Sequence, residues 1–124
     1  LQKNTHILLE YLTFFLNPSK KISKMKGWMY MLRCSNGSFY IGSTNNLDLR
    51  LAQHKSGEGA NHTKKFAPVE LVFFEEFSRI DQAFYREKQV QKWSRAKKEA
   101  LISGRLEELV RLSKSGLRQV QPPI

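Results

Sequence analysis

The segment Trp28–Ser43, WMYMLRCSNGSFYIGS, constrains the fold more than any other stretch. Aromatic and apolar runs, Trp28 to Leu32 and Phe39 to Ile41, flank the turn signal Ser35-Asn36-Gly37-Ser38, the signature of a β-hairpin. Two registers are open. A two-residue Asn36-Gly37 loop in a type I′ turn faces Cys34 with Phe39 and Arg33 with Tyr40. Side chains alternate along a strand, so Tyr30 and Tyr40 then lie on opposite faces. A three-residue loop, Ser35-Asn36-Gly37, closed by a left-handed Gly37, faces Leu32 with Tyr40 and Tyr30 with Gly42. Both phenols then share a face.

After the hairpin, Thr44-Asn45-Asn46 offers helix caps, and Asp48 stands three residues past Asn45 as in a capping box. This predicts a helix to about Lys55, stopping near Gly57 and Gly59. Residues 56–67 read as a polar, glycine-containing loop. VELVFFEEF after Pro68 reads as a strand apolar enough to be central or well covered. Ser78 or Asp81 caps a second helix over 80–95, and a shorter helical stretch runs to Ile102. RLEELVRLSK forms a last helix, and the tail from Ser115 is frayed. The order implies an α+β domain, a small three-stranded antiparallel sheet flanked by helices.

Charge points to a partner. The 124 residues carry 21 Lys+Arg against 11 Asp+Glu, a formal +10, which favours a polyanion, nucleic acid ahead of an anionic membrane. Cys34 is the only cysteine, so no intrachain disulfide forms and a reducing, cytoplasmic setting fits. Three histidines and one cysteine make no zinc pattern. The early run HILLEYLTFFL is short and broken by Glu10, so it does not span a bilayer. Residues 1–24 read as an extension outside the domain, either loosely ordered or helical and docked.

Helical periodicity exposes polar residues where a core stripe belongs. Leu47 and Leu51 mark the stripe of the first helix, and Arg50 and His54 fall on it. In the second helix Ile80, Ala83, Phe84 and Val90 mark the stripe, with Glu87 in its middle. An unpaired buried charge costs several kcal/mol, so these groups pair, reach solvent in a cleft, or hold a ligand. Each alone suits a structural role: an ion pair for Glu87, a snorkelling stem for Arg50, a satisfied near-core imidazole for His54. Together, beside paired tyrosines, they are the parts of a phosphodiester-cleaving site. A carboxylate holds a hard cation, a guanidinium clamps phosphate, and a phenolate or imidazole takes a proton from water.

Tyr30, Tyr40-Ile41-Gly42, Arg50, His54 and Arg86-Glu87-Lys88, in this order and spacing, resemble the GIY-YIG nuclease domain, in its small single-domain bacterial branch. The likeness covers about residues 27–102, within a domain at 25–103, followed by a helix and tail over 104–124. Of the first signature triplet, here Trp28-Met29-Tyr30, only the tyrosine matches. The resemblance implies Tyr30, Tyr40, Arg50, His54 and Glu87 as catalytic residues, with a single Mg²⁺ or Mn²⁺ on Glu87. It implies a DNA endonuclease, structure-selective or weakly sequence-specific, in repair or recombination. If both phenols serve one site they share a face, which selects the three-residue hairpin loop. Two positions depart from the pattern: Ser43 stands where several nuclease relatives carry lysine, and no asparagine follows Asn61.

Residues 86–98 hold six basic groups against one acid. Lys64, Lys65, Lys88, Lys92, Arg95 and Lys98 are the expected nucleic-acid contacts, while Trp93 packs rather than stacks on a base. No reader module accompanies them, so sequence preference is weak. DNA is the expected partner, RNA not excluded, and a monomer is favoured. The rival readings are a non-catalytic nucleic-acid-binding module on the same fold, and an interaction domain for an acidic protein.

Overall fold

The computed structural model describes residues 25–120, with side chains to 114. The expectation for residues 1–24 falls outside the described residues. The elements are β1 (Gly27–Arg33), β2 (Phe39–Thr44), α1 (Leu47–Lys55), α2 (Asn61–Lys65), β3 (Glu70–Phe77), α3 (Ile80–Gln91), α4 (Arg95–Ile102) and α5 (Leu106–Val120). The chain divides into two compact units, one ending at Gln89 and one beginning at Val90.

In the first unit the three strands form an antiparallel sheet in the order β2-β1-β3. β1 takes the centre because it is apolar on both faces: Met29, Tyr30, Met31 and Leu32 are all fully buried. The expectation of a central or well-covered β3 is corrected. It is an edge strand, and Phe74 is 52% exposed. A run of apolar residues does not by itself tell an edge strand from an inner one.

The hairpin adopts the three-residue loop. Gly37 sits at φ 85, its N–H donates to the Cys34 carbonyl at 2.9 Å, and Cys34 N–H donates to the Ser38 carbonyl at 2.9 Å. Leu32 faces Tyr40 and Tyr30 faces Gly42, so the two phenols share a face.

α1 begins where the Asn46 side chain accepts from Leu49 N–H at 3.1 Å. It ends with Gly57 N–H on the His54 carbonyl and Glu58 N–H on the Gln53 carbonyl, the Schellman arrangement. The loop expected over 56–67 contains α2. One helical turn of five residues is too short to leave a periodic signal. α1 and α2 cover the Tyr30 face of the sheet through His54, Arg50 and Thr63. α3 covers the other face. A Cβ on Gly27 would meet the Ile80 Cα at 2.6 Å, and Arg86 Nε donates to Glu75 Oε1 at 2.8 Å.

The helix expected to run to residue 95 stops at Gln91, and Ser94 caps α4 by accepting from Lys97 N–H at 3.3 Å. In the second unit α4 and α5 pack on each other across a turn at Gly104, φ 70. The last helix, expected to end before Ser115, continues to Val120, and the rest of the expected tail lies outside the described residues. A single Gly116 lowers helix stability without ending the helix.

Candidate active site

The polar residues on the apolar stripe of α1 are its most buried ones. Arg50 is 4% exposed and His54 1%, whereas Leu47 and Leu51 are only half-buried and Leu49 is 54% exposed. Their partner is Tyr30 on the central strand. The Tyr30 hydroxyl lies 2.8 Å from His54 Nε2, and Arg50 Nε donates to the same hydroxyl oxygen at 3.3 Å. Arg50 Nη1 donates to Gln53 Oε1 at 3.2 Å. On the far side of the imidazole, His54 Nδ1 is 2.9 Å from Thr63 Oγ1, and the Thr63 hydroxyl donates to the Ala60 carbonyl at 2.9 Å.

Two glycines make room for this arrangement. A Cβ on Gly42 would stand 2.5 Å from the Tyr30 hydroxyl, and one on Gly59 would stand 2.3 Å from His54 Nδ1. Tyr40 completes the group. Its ring centroid lies 5.1 Å from that of His54 in an edge-on arrangement and 6.3 Å from that of Tyr30. The two phenols differ in access: Tyr30 is fully buried, whereas Tyr40 is half-buried.

Burial sets the protonation states. It pushes the Tyr30 phenol well above the ordinary tyrosine range; Tyr40 and Glu87 push the same way and Arg50 pulls against them. Burial, with the Arg50 charge beside it, lowers His54 to about 4. At neutral pH the imidazole is therefore neutral and Tyr30 keeps its proton.

Glu87 arrives from α3. It is 8% exposed, and Ser43, the residue after Gly42 on β2, donates to its Oε1 at 2.6 Å. Lys88 Nζ stands 3.4 Å from Oε2. Strand alternation turns Ser43 to the face opposite Tyr30, so α3 and α1 bring their charges to β2 from its two sides. The Glu87 charge is still felt at the Tyr30 phenol. Among the described residues no group of three or more His, Cys, Asp or Glu side chains is placed to hold a metal. Glu87 thus offers a single hard carboxylate donor. That donor set fits Mg²⁺ or Mn²⁺, which keep several waters and take one or two carboxylates plus phosphate oxygens.

Residues 26–100 match the GIY-YIG catalytic domain. The chain belongs to the GIY-YIG family. A UPF0213 protein of Natronomonas pharaonis is 42% identical over 76 residues, spanning 61% of this chain and 89% of that protein. One from Bacillus pumilus is 40% identical over 81 residues, spanning 65% and 83%. The solution NMR structure of a UPF0213 protein from Bacillus halodurans is 39% identical, covers 64% of this chain and 84% of that one, and gives a TM-score of 0.44. A GIY-YIG domain is a nuclease-type domain, so nucleic acid is the substrate class. Among the described residues no helix is long and apolar enough to cross a membrane.

Of the expected GIY-YIG site residues, the structure gathers Tyr30, Tyr40, Arg50 and His54 into one cluster and ties Glu87 to the neighbouring Ser43. Lys64 and Lys65 are exposed at the end of α2, and Lys88 is 51% exposed beside Glu87. Lys92, Arg95 and Lys98 belong to the second unit. There Arg95 pairs with Glu99 at 3.5 Å, and Trp93 is half-buried under the Lys97 ammonium at 4.3 Å. Sequence reasoning missed two residues. Ser43 was visible only as a departure from a pattern, and Thr63 sits in a helix too short to be seen.

Proposed function

We propose that the protein is a divalent-metal-dependent DNA endonuclease, structure-selective or weakly sequence-specific, serving DNA repair or recombination in the cytoplasm. The observation that carries this reading is the buried Arg50–Tyr30–His54 network packed against a half-buried Tyr40, with Glu87 held by Ser43 from the other side of β2 and its charge reaching the Tyr30 phenol. Burying an arginine and a histidine where leucine would pack is costly, and a phosphate clamp explains the arrangement better than fold stability does.

Glu87 is the residue that would hold Mg²⁺ or Mn²⁺, and the ion when bound would supply positive charge to offset that of the phosphodiester. Arg50 spends Nε on Tyr30 and exchanges its Gln53 contact for a phosphate oxygen, bracing the charge that develops on it. Tyr40 orients the attacking water. Tyr30 and His54 hold Arg50 from within. In-line attack leaves 5′-phosphate and 3′-hydroxyl ends.

Incubation of the protein with nicked, branched, single-stranded and duplex DNA tests the reading, in Mg²⁺, Mn²⁺ or EDTA. Metal-dependent nicking that is lost in both Glu87→Gln and Arg50→Ala supports it. One observation favours a second reading: Ser43 and Lys88 already engage both Glu87 oxygens, as they would a purely structural carboxylate. A non-catalytic nucleic-acid-binding module then gives tight, salt-sensitive binding, no products, and no response to Glu87→Gln.

A further inference from the structure

The hydrogen bonds behind Tyr30 form a chain whose direction is set at both ends. Arg50 Nε can only donate, and the Ala60 carbonyl can only accept. Between them stand three groups that each carry one proton to give. The Thr63 hydroxyl proton goes to the Ala60 carbonyl, 2.9 Å away, so Thr63 Oγ1 faces the imidazole with a lone pair. His54 Nδ1, 2.9 Å from that oxygen, therefore carries the ring proton. His54 Nε2 is left as an acceptor, and the Tyr30 hydroxyl donates to it at 2.8 Å. Tyr30 oxygen in turn receives Arg50 Nε. Every donor points the same way, and each bond polarises the next. All four side chains are buried, Thr63 and Tyr30 completely. No side-chain polar atom that is buried among the described residues lacks a partner. A neutral histidine otherwise chooses between two tautomers of similar energy; in the alternative, Nε2–H joins Arg50 Nε in donating to the Tyr30 oxygen, whose own buried proton loses its acceptor, and Thr63 has to turn its proton from the Ala60 carbonyl to Nδ1.

We infer that Thr63 is a positioning residue: it holds His54 as the Nδ1–H tautomer and, through Tyr30, sets the orientation in which Arg50 meets phosphate. Gly59 belongs to the same device, since any Cβ there would collide with both His54 Nδ1 and Thr63 Oγ1. The tautomer part stands on the geometry alone, and the phosphate part rests on the hydrolytic reading above.

Nitrogen-15 NMR of the imidazole in the full chain tests it, in wild type, Thr63→Ser and Thr63→Val, beside nicking rates in Mg²⁺. The wild type and Thr63→Ser are expected to show His54 with a protonated Nδ1 and an unprotonated Nε2. Thr63→Val, with a folded amide spectrum, is expected to lose that single tautomer and to nick about 10–100-fold more slowly, by analogy with the loss of the hydrogen-bond partner that orients a metal-binding histidine. Thr63→Ser restores the rate. Protonation on Nε2 in the wild type overturns the inference, as does a folded Thr63→Val that keeps both the Nδ1–H state and the wild-type rate. If Thr63→Val does not fold, the wild-type and Thr63→Ser spectra decide. A wild type that carries the Nδ1 proton but cleaves no DNA leaves the tautomer assignment standing and removes the hydrolytic reading instead.

Discussion

Tyr30 and Tyr40 are the same residue type on the same face of one hairpin, yet they are placed for different work. Tyr30 is sealed between Arg50 and His54, so Tyr30→Phe strands both partners without a hydroxyl. An unsatisfied buried polar group costs about 1–3 kcal/mol, and denaturant unfolding of Tyr30→Phe is expected to show a loss of that size. Tyr40→Phe is expected to leave stability within about 1 kcal/mol of wild type. Its nicking rate falls at least about 100-fold, the lower range for loss of a group that handles the attacking water. His54 adds a pH dependence with a definite sign. It faces Arg50 from its own helix, Tyr30 and Tyr40 from the sheet, and Thr63 from α2. Its folded value is lowered from 6.5 to about 4, so the unfolded chain takes up the proton first as pH falls. The stabilisation is complete above about pH 6.5, declines through the interval and is gone near pH 4, a difference of about 3 kcal/mol at most. Unfolding free energies measured between pH 4 and 7 are expected to show that slope, and His54→Gln to flatten it.

The hairpin and the α1–α2 connection show how elements, rather than single side chains, build the cluster. Gly59 ends the path from α1 to α2 directly against the imidazole, so Gly59→Ala forces His54 or Thr63 aside. Overpacking of this kind costs about 1–3 kcal/mol, and thermal melts of Gly59→Ala are expected to show it together with slower nicking. The register of β1 and β2 was legible only through the family resemblance: the residues allow two loops, and two tyrosines serving one site select the three-residue one. Arg50, His54 and Glu87 were legible for a different reason: each breaks an apolar period. α2 and its Thr63 were not. A five-residue helix carries no period, and a buried threonine looks like any other polar residue in a glycine-containing stretch. The edge position of β3 was hidden because its apolar content belongs partly to exposed Phe74. The link from Ser43 to Glu87 joins residues 44 apart in sequence, and nothing in either neighbourhood announces it.

For the whole molecule the deciding quantity is the formal charge of +10, which does not act through any single contact. A substrate held mainly through phosphates releases counterions on binding, so its affinity falls as a power of salt concentration. A protein that neutralises six or more phosphates loses about 10³-fold or more in affinity between 50 and 200 mM salt. The exposed lysines at the end of α2, Lys64 and Lys65, lie outside the buried cluster and make no ion pair with a carboxylate among the described residues. Each that meets a phosphate adds about one to the slope of log affinity against log salt. Binding of Glu87→Gln protein to branched and duplex DNA, titrated in salt by fluorescence anisotropy, is expected to show the steep slope. Adding Lys64→Ala and Lys65→Ala is expected to reduce it by about two while leaving any sequence preference unchanged, because phosphate contacts position a duplex without reading it. An unchanged slope would place the phosphate path away from α2. A changed sequence preference would mean that these lysines reach base edges.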